Sequence, residues 1–500
     1  MKTSLIRLTI VLAILASTVA AQDTDADRLG LGLYMPFDFV GGGVRAEGMG
    51  NAFLGVSDDV TAGGWNPAGL VVHEGPMLGL SYGATSAKGK TDFTIFSRTF
   101  GADHDGSLGG VSDLNFVAPF RLKGHPFVGS FNYTENFSGL GNQSFNATVG
   151  VPIWVIRQSI LQQEIFPVDV VNKQSYEGSL RSVNIAFGSR VYENISLGLA
   201  VNVYSGSAIR TITELTAVYD FPLPPFEQSV TAGGTGLVVD TSKFSGFNFT
   251  LGAKHSGEKL SWGLALRSPF NLNVKTGTSL YSVQDINGFP IEAGTDTTFI
   301  DDQLTKYSMP FLVGGGIGYQ LKDNLLLAVD AEYRGYGSTG IKDRTSLNIT
   351  PAGNIEEDFI EYDDSLVNWN NGVSMRFGAE YTMAKSFGTI PLRVGVGFVP
   401  TPRPNDGDVE TPAKAFILPH AVISPLAKLL NKSDAALQYT FSLGTGIHWN
   451  QIHLDWSYTY SWVDRSTITD ADAREDVTVE LVLESQTRDH HFGFGFTGYF

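Results

Sequence analysis

IHLDWSYTYSW, residues 452–462, decides how this chain is read. Ile452, Leu454, Trp456, Tyr458, Tyr460 and Trp462 share one parity, and His453, Asp455, Ser457, Thr459 and Ser461 share the other. Successive side chains of a strand point to opposite faces, so the segment has one greasy, aromatic face and one polar face. The C-terminus repeats the pattern, with Phe492, Phe494, Phe496, Gly498 and Phe500 set against His491, Gly493, Gly495, Thr497 and Tyr499. A soluble sandwich also alternates, but its outer face is rich in Lys, Glu and Thr and its strands are shorter. Apolar-out and polar-in over about ten residues is the pattern of a transmembrane β-barrel.

Composition agrees with that reading. The 500 residues include 57 Gly and 33 Phe, yet mean hydropathy is only +0.01, as expected when every second strand residue meets lipid. Charged residues at 17% are too sparse for a disordered or coiled-coil chain. The net charge of −17 argues against a nucleic-acid partner, whose footprint is basic. The absence of Cys removes disulfide scaffolds, thiolate metal sites and thiol nucleophiles. At the N-terminus Lys2 and Arg7 precede the apolar run 8–16 and the small residues Val19-Ala20-Ala21. This is the layout of a secretory signal peptide over residues 1–21, with cleavage expected before Gln22. The run is too short for a membrane-spanning helix, which takes about 20 residues.

Turn signals allow the strands to be counted. Short polar links at 121–126, 192–194, 257–259, 322–324, 384–388 and 450–451 each join two alternating runs. The resulting hairpins are 111–121/126–135, 178–191/195–210, 244–257/260–274, 304–321/324–336, 370–384/388–400 and 436–449/451–463. Runs at 77–96 and 488–500 complete a set of about fourteen antiparallel strands, so the expected class is all-β, with the barrel over 76–500. Between the hairpins lie long segments rich in Asp, Asn, Gly and Pro, expected to be irregular exterior loops. Short turns on one side and long loops on the other match periplasm and exterior in a bacterial outer-membrane barrel.

The same alternation sorts lumen from lipid. Asp330, Glu332 and Arg334 oppose Leu327, Val329, Ala331 and Tyr333, while Arg376, Glu380 and Arg393 oppose Phe377, Tyr381, Leu392 and Val394. A charge on the lipid face costs about 2–4 kcal/mol near the midplane, so these six are assigned to the lumen. They either touch a substrate head group or form satisfied ion pairs that stiffen the wall, and pairing is the expectation.

Residues 41–70, GGGVRAEGMGNAFLGVSDDVTAGGWNPAGL, break the pattern: they are rich in small residues, do not alternate and are too polar to cross lipid. Attached to a barrel that would otherwise leak, they are expected to fold into the lumen as part of an N-terminal hatch spanning 22–75. The run ending GWNPAGL resembles the hatch of the FadL/TodX family of outer-membrane transporters of long-chain fatty acids and other hydrophobic compounds. SDLNFVAPF, RSVNIAFGSRVYENISLGLAVNVYSG, WGLALRSPF, VGGGIGYQLKDNLLLAVDAEYRGYG, RFGAEY, PLRVGVGFVPTPRPNDG and FSLGTGIHWNQIHLDWSYTY follow in the family's order. The resemblance implies a fourteen-stranded barrel, passive uptake without a cofactor, and a hatch that shifts to let the ligand pass. A side opening in the wall is implied in the same way. GMGNAF, residues 48–53, also resembles the PorV branch, which would make the barrel an anchor or shuttle whose partners are secretion-system proteins.

Several residues carry more local readings. Pro67 fixes its own φ and pushes Asn66 out of the α region, so the Asn66 side chain can cap the turn that Pro67 and Ala68 begin. Asp58 and Asp59 lack the His or further ligands of a metal site, and are expected to cap amides or pair with Arg45. Ile153, Ile156 and Ile160, with Trp154 one turn away, fall at helical spacing, and the segment 413–430 is similarly apolar around Phe416 and Ile417. In the resembled family hydrophobic loop helices form the groove that first meets the ligand, with Arg157 and Lys414 placed here to meet a carboxylate. The alternative is that these segments pack together or dip into the lipopolysaccharide-bearing outer leaflet. No catalytic motif joins His490 and His491 to a nucleophilic Ser, so no enzyme, metal or cofactor is expected.

Overall fold

The computed structural model describes residues 41–95, 98–157, 160–222, 229–286, 289–292, 298–338, 340–349, 355–361, 371–404, 435–472 and 478–500. Its wall is a closed antiparallel barrel of fourteen strands. The wall begins with β1 (Met77–Ile95), β2 (Arg98–Leu122), β3 (His125–Arg157), β4 (Ile160–Tyr192), β5 (Ile195–Pro222) and β6 (Ser229–Ser256). Two further positions are each built from a broken strand, β7 (Leu260–Arg267) with β8 (Phe270–Ile286), and β10 (Thr298–Met309) with β11 (Leu312–Lys322). Then come β12 (Leu325–Arg334), β15 (Gly372–Lys385), β16 (Gly388–Pro404), β17 (Ala435–Trp449), β18 (Ile452–Asp472) and β19 (Thr478–Tyr499). The short strands β9 (Phe289–Glu292), β13 (Ile341–Ile349) and β14 (Ile355–Glu361) extend the exterior side. Pairing of β1 with β19, from Met77 opposite Tyr499 to Ile95 opposite Leu481, closes the circle and leaves no edge.

The two breaks lie side by side, at Ser268-Pro269 and Pro310-Phe311, with Arg267 opposite Leu312 and Phe270 opposite Met309. Proline has no amide to give a ladder, so runs read from alternation as continuous are interrupted here. The tight turns fall where their chemistry requires. Lys123, Gly124 and Asn450 take positive φ values of 50°, 85° and 51°, which suits two-residue hairpins.

Parity determines which face is wet. Leu80, Phe116, Ile185, Phe249, Val394 and Phe494 lie exposed on the outer wall, in a belt of large apolar side chains. Asp330, Glu332, Arg334, Arg376, Glu380 and Arg393 are all buried inside, as their alternation requires. An exposed apolar belt around a closed polar interior is the surface a bilayer demands.

Two expectations are corrected. Residues 151–157 and 160–170 are not helical: they are the end of β3 and the start of β4, paired from Arg157 opposite Ile160 to Val149 opposite Val168. The segment is rich in Val and Ile, and extending an existing ladder outweighs a spacing coincidence of a few residues. Likewise, much of what reads as irregular exterior loop continues the wall strands, as β3 to Arg157, β5 to Pro222 and β18 to Asp472 show. The apolar segment 413–430, with Lys414, Phe416 and Ile417, lies outside the described residues, as do residues 1–40.

Candidate functional site

Residues 43–73 lie inside the barrel as a plug. The segment contains a short helix (Val44–Gly48), a second turn of helix (Ala62–Trp65) and a 3-10 helix (Pro67–Val72). Its own core is Met49, Phe53, Leu54, Val56 and Trp65, with Phe53 and Trp65 meeting edge-on at 5.9 Å. Small residues let its backbone reach the wall closely. A Cβ on Gly263 would collide with the Leu54 carbonyl, and one on Gly395 with the Gly50 amide, where φ is +65°.

One side of the plug is held by single hydrogen bonds. Asp330 accepts the amides of Phe53 and Leu54 at 2.5 and 2.7 Å, and Lys254 donates to the carbonyls of Val56 and Ser57. Asn66 caps the Ala68 amide at 3.2 Å and donates to the Ala253 carbonyl at 3.0 Å, so Asn66-Pro67-Ala68 is both a turn and a wall contact. Ser196 donates to the Ala68 carbonyl and Arg267 to that of Gly64, both at 2.8 Å. Replacing Asp330 by Asn would leave both amides, which share the one oxygen Oδ2, without a charged acceptor. A loss of about 1–3 kcal/mol is expected, read as a lower urea midpoint for the folded barrel in detergent.

The opposite side is ionic. Arg45 joins Asp58 and Glu380, and Glu380 also accepts from Arg393, which reaches Asp455 at 2.6 Å. Asp455 meets His448 at 3.0 Å, and the ring of His448 stacks on His453 at 3.8 Å. Glu47 accepts from Ser457 at 2.6 Å and lies 3.5 Å from His491. Burial alone would raise the Glu47 carboxyl, but His491 and Ser457 hold it below the usual range. Asp59 accepts the amide and hydroxyl of Thr61 at 2.8 and 2.6 Å, and burial pushes its carboxyl upward. Glu332 takes Arg334 and Arg376 as partners. Glu332, Arg334, Arg376, Glu380 and Arg393 thus form ion pairs, whereas Asp330 takes the plug amides instead; Asp330 and Glu380 both grip the plug. Beside this network lies a polar cavity of about 230 Å³ lined by Arg45, Asp58, Asn115, Glu380, His453 and Tyr499.

Against the plug, where Asn132 donates to the Val60 carbonyl at 3.2 Å, the lumen changes character. Asn115, Asn132, Asn184, Asn202 and Asn248 occupy one cross-strand row over β2 to β6. Within the row Asn132 donates to Asn115, Asn184 to Asn202 and Asn202 to Asn248, at 2.6–2.8 Å. Each Asn is flanked by apolar residues (LNF, FNY, VNI, VNV, FNF), a five-strand signal that simple alternation hides. Beyond the row Leu180, Tyr204, Phe244, Leu272, Val274, Tyr307, Met309 and Tyr336 form an apolar cluster. Along β4 to β10 these share the parity of the luminal polar residues, so a greasy lining stands inside the barrel. Tyr204 stacks on Phe270 at 4.8 Å across Gly246, whose missing Cβ leaves room for the ring.

Beside this lining the ladder of the wall is interrupted. β2 and β3 pair from Leu122/His125 to Asp113/Thr134, and again from Asp105/Asn142 to Ala102/Phe145. Among the described residues no ladder pair joins 106–112 to 135–141, although the register on either side of the interval is the same. Each strand keeps its other neighbour, β1 for β2 and β4 for β3, with irregularities at Ser81/Tyr82 and Glu135/Phe137. Leu180 of the apolar cluster sits on β4 directly behind the unpaired stretch, opposite Phe137. Ile153, Trp154, Ile156 and Arg157 lie further out along β3, with Ile160 opening β4.

A closed barrel of this strand number and pairing has solved counterparts. A FadL homologue of Pseudomonas aeruginosa superposes with TM-score 0.56 at 14% identity, over 91% of this chain and 97% of that one. The chain has the fold of the FadL/TodX channels. The toluene transporter TodX of P. putida matches with TM-score 0.51 at 13% identity, over 93% of this chain and 99% of its own. The toluene transporter TbuX of Ralstonia pickettii matches with TM-score 0.50 at 13% identity, over 93% and 100%. No protein-family model and no curated sequence matches the chain. At identities this low the likeness is one of fold.

Proposed function

We propose that the protein is an outer-membrane channel for passive uptake of hydrophobic small molecules, long-chain fatty acids among them. The observation that carries this reading is the apolar cluster inside the lumen, level with the unpaired interval between β2 and β3. A greasy lining within an otherwise polar lumen offers an apolar solute a place to leave water. The side gap offers it a route that avoids crossing the polar plug network in one step. The ligand is captured on the exterior side, rests among Leu180, Tyr204, Phe244 and Tyr307, and leaves either through the gap or past a displaced plug. Neither chamber nor gap has a use in a barrel that only anchors a secretion machine, which favours the channel. Outer-membrane lipid and lipopolysaccharide are the surroundings this surface would meet.

The test is uptake by a bacterial host lacking its own fatty-acid channel, with and without this chain, using labelled long-chain fatty acid and toluene. Uptake of neither solute above the empty host overturns the proposal. Leu180→Asp, which places a charge in the chamber, is expected to lower uptake about tenfold, as burying an unpaired carboxylate there costs more than one decade of binding. Heat-modifiable migration of the folded barrel in gels checks that the variant is intact.

A further inference from the structure

The outward faces of β3 and β4 carry an ion pair where apolar residues are the rule. Glu135 and Arg181 lie opposite each other in the ladder, with Arg181 Nε 3.8 Å from Glu135 Oε1. Both have the parity of the exposed Phe131, Ile185 and Phe187; Arg181 is exposed on that face, while Glu135 is largely covered, its carboxylate lying in the unpaired interval. Glu135 is the first residue of the unpaired interval on β3. Across that interval Gly109 and Gly110 present bare backbone, and the nearest atom to a Cβ built on Gly110 is Glu135 Oε2, at 3.9 Å. The pair therefore stands at the mouth of the gap.

Its height is informative. Arg181 is eleven residues up β4 from Tyr192 at the short-turn rim. At about 3.3 Å per residue and a tilt of about 40°, that is roughly 28 Å, against an apolar band about 25 Å tall. Arg181 thus sits where acyl chains give way to head groups. Its side chain is 51% exposed, and a 3.8 Å contact with Glu135 leaves guanidinium donors facing outward. A guanidinium is suited to paired hydrogen bonds with a carboxylate. An amphiphile passing the gap tail-first into the outer leaflet must leave its head group at this level.

We propose that Arg181 is a head-group site at the mouth of the side gap, selecting amphiphiles with a carboxylate on an apolar tail, and that Glu135 is the internal anion such a ligand displaces. This rests on the channel reading, and it narrows the solutes to acids over their neutral analogues.

The experiment compares uptake of a labelled long-chain fatty acid with that of its methyl ester by the same host. Arg181→Gln is expected to lower uptake of the acid about tenfold, equivalent to about 1.4 kcal/mol, and to leave the ester unchanged. Arg181→Lys should restore much of the acid uptake, and Glu135→Gln should raise it. Equal loss for acid and ester, or no loss for either, overturns the proposal while wild-type uptake of both solutes leaves the channel reading standing. Repeating the assay in cells whose lipopolysaccharide lacks core phosphates separates the two anion sources. A defect that disappears there assigns Arg181 to lipopolysaccharide phosphate and overturns the carboxylate assignment.

Discussion

Uptake through a Val44→Cys/Gly495→Cys variant is expected to fall to the level of the empty host on oxidation and to recover on reduction. The two positions face each other across the plug–wall boundary. A Cβ built on Gly495 lies 3.2 Å from that of Val44, close to the separation a disulfide spans. The chain has no native Cys, so the bridge would be the sole thiol chemistry present. Bridging ties the helix Val44–Gly48 to β19, beside the ionic network and the polar cavity. If solute passes only when this side of the plug moves, a covalent tie blocks it. Unchanged uptake in the oxidised protein, with the bridge verified by mass spectrometry, would show that passage does not require this movement and would leave the side gap as the route.

Glu380→Ala carries the second large effect. Glu380 is the node between plug and wall, bound by Arg45 from the plug and Arg393 from β16. The Arg393 side chain is fully buried, and its remaining partner Asp455 is shared with His448. Removing one partner from a buried ion network costs about 3–5 kcal/mol, chiefly because the other charges stay behind without compensation. The plug should loosen on its ionic side, so the variant is expected to leak. The readout is greater sensitivity of the host to a bulky antibiotic that the wild-type barrel excludes, together with a lower temperature of heat modification. Glu380→Gln should fall between, keeping one acceptor oxygen but not the charge. A variant as tight and as stable as wild type would show that the hydrogen bonds on the Asp330 side suffice to seat the plug.

Much of this was legible in the residues themselves. A lipid face tolerates few charges, so alternation at 452–462 and at 492–500 by itself separates lipid from lumen. For the same reason Asp330, Glu332, Arg334, Arg376, Glu380 and Arg393 could be placed inside. Asn66 before Pro67 announced its own capped turn, since Pro restricts its neighbour locally. The apolar lining was not legible. Tyr204, Phe244, Leu272 and Tyr307 stand on the luminal parity of four different strands, and each alone looks like a lapse in alternation. Helical spacing at 153–160 misled because a few Val and Ile residues match both periods, and only the existing β3–β4 ladder decides between them.

The short-range physics of the chain therefore determines its class. Strand parity, turn chemistry and the cost of charge in lipid depend on neighbours a few residues apart, and they point to a barrel of about fourteen strands with an apolar outer face and an anomalous segment before the first. How the apolar lining, the gap and the plug are arranged depends on residues brought together from across the circle. Arg45 meets Glu380 and Asp58, five Asn side chains from separate strands form one row, and Glu135 faces Gly110 only because β2 and β3 part between two stretches of unbroken register. Closure of the barrel sets those distances, and no local pattern encodes them.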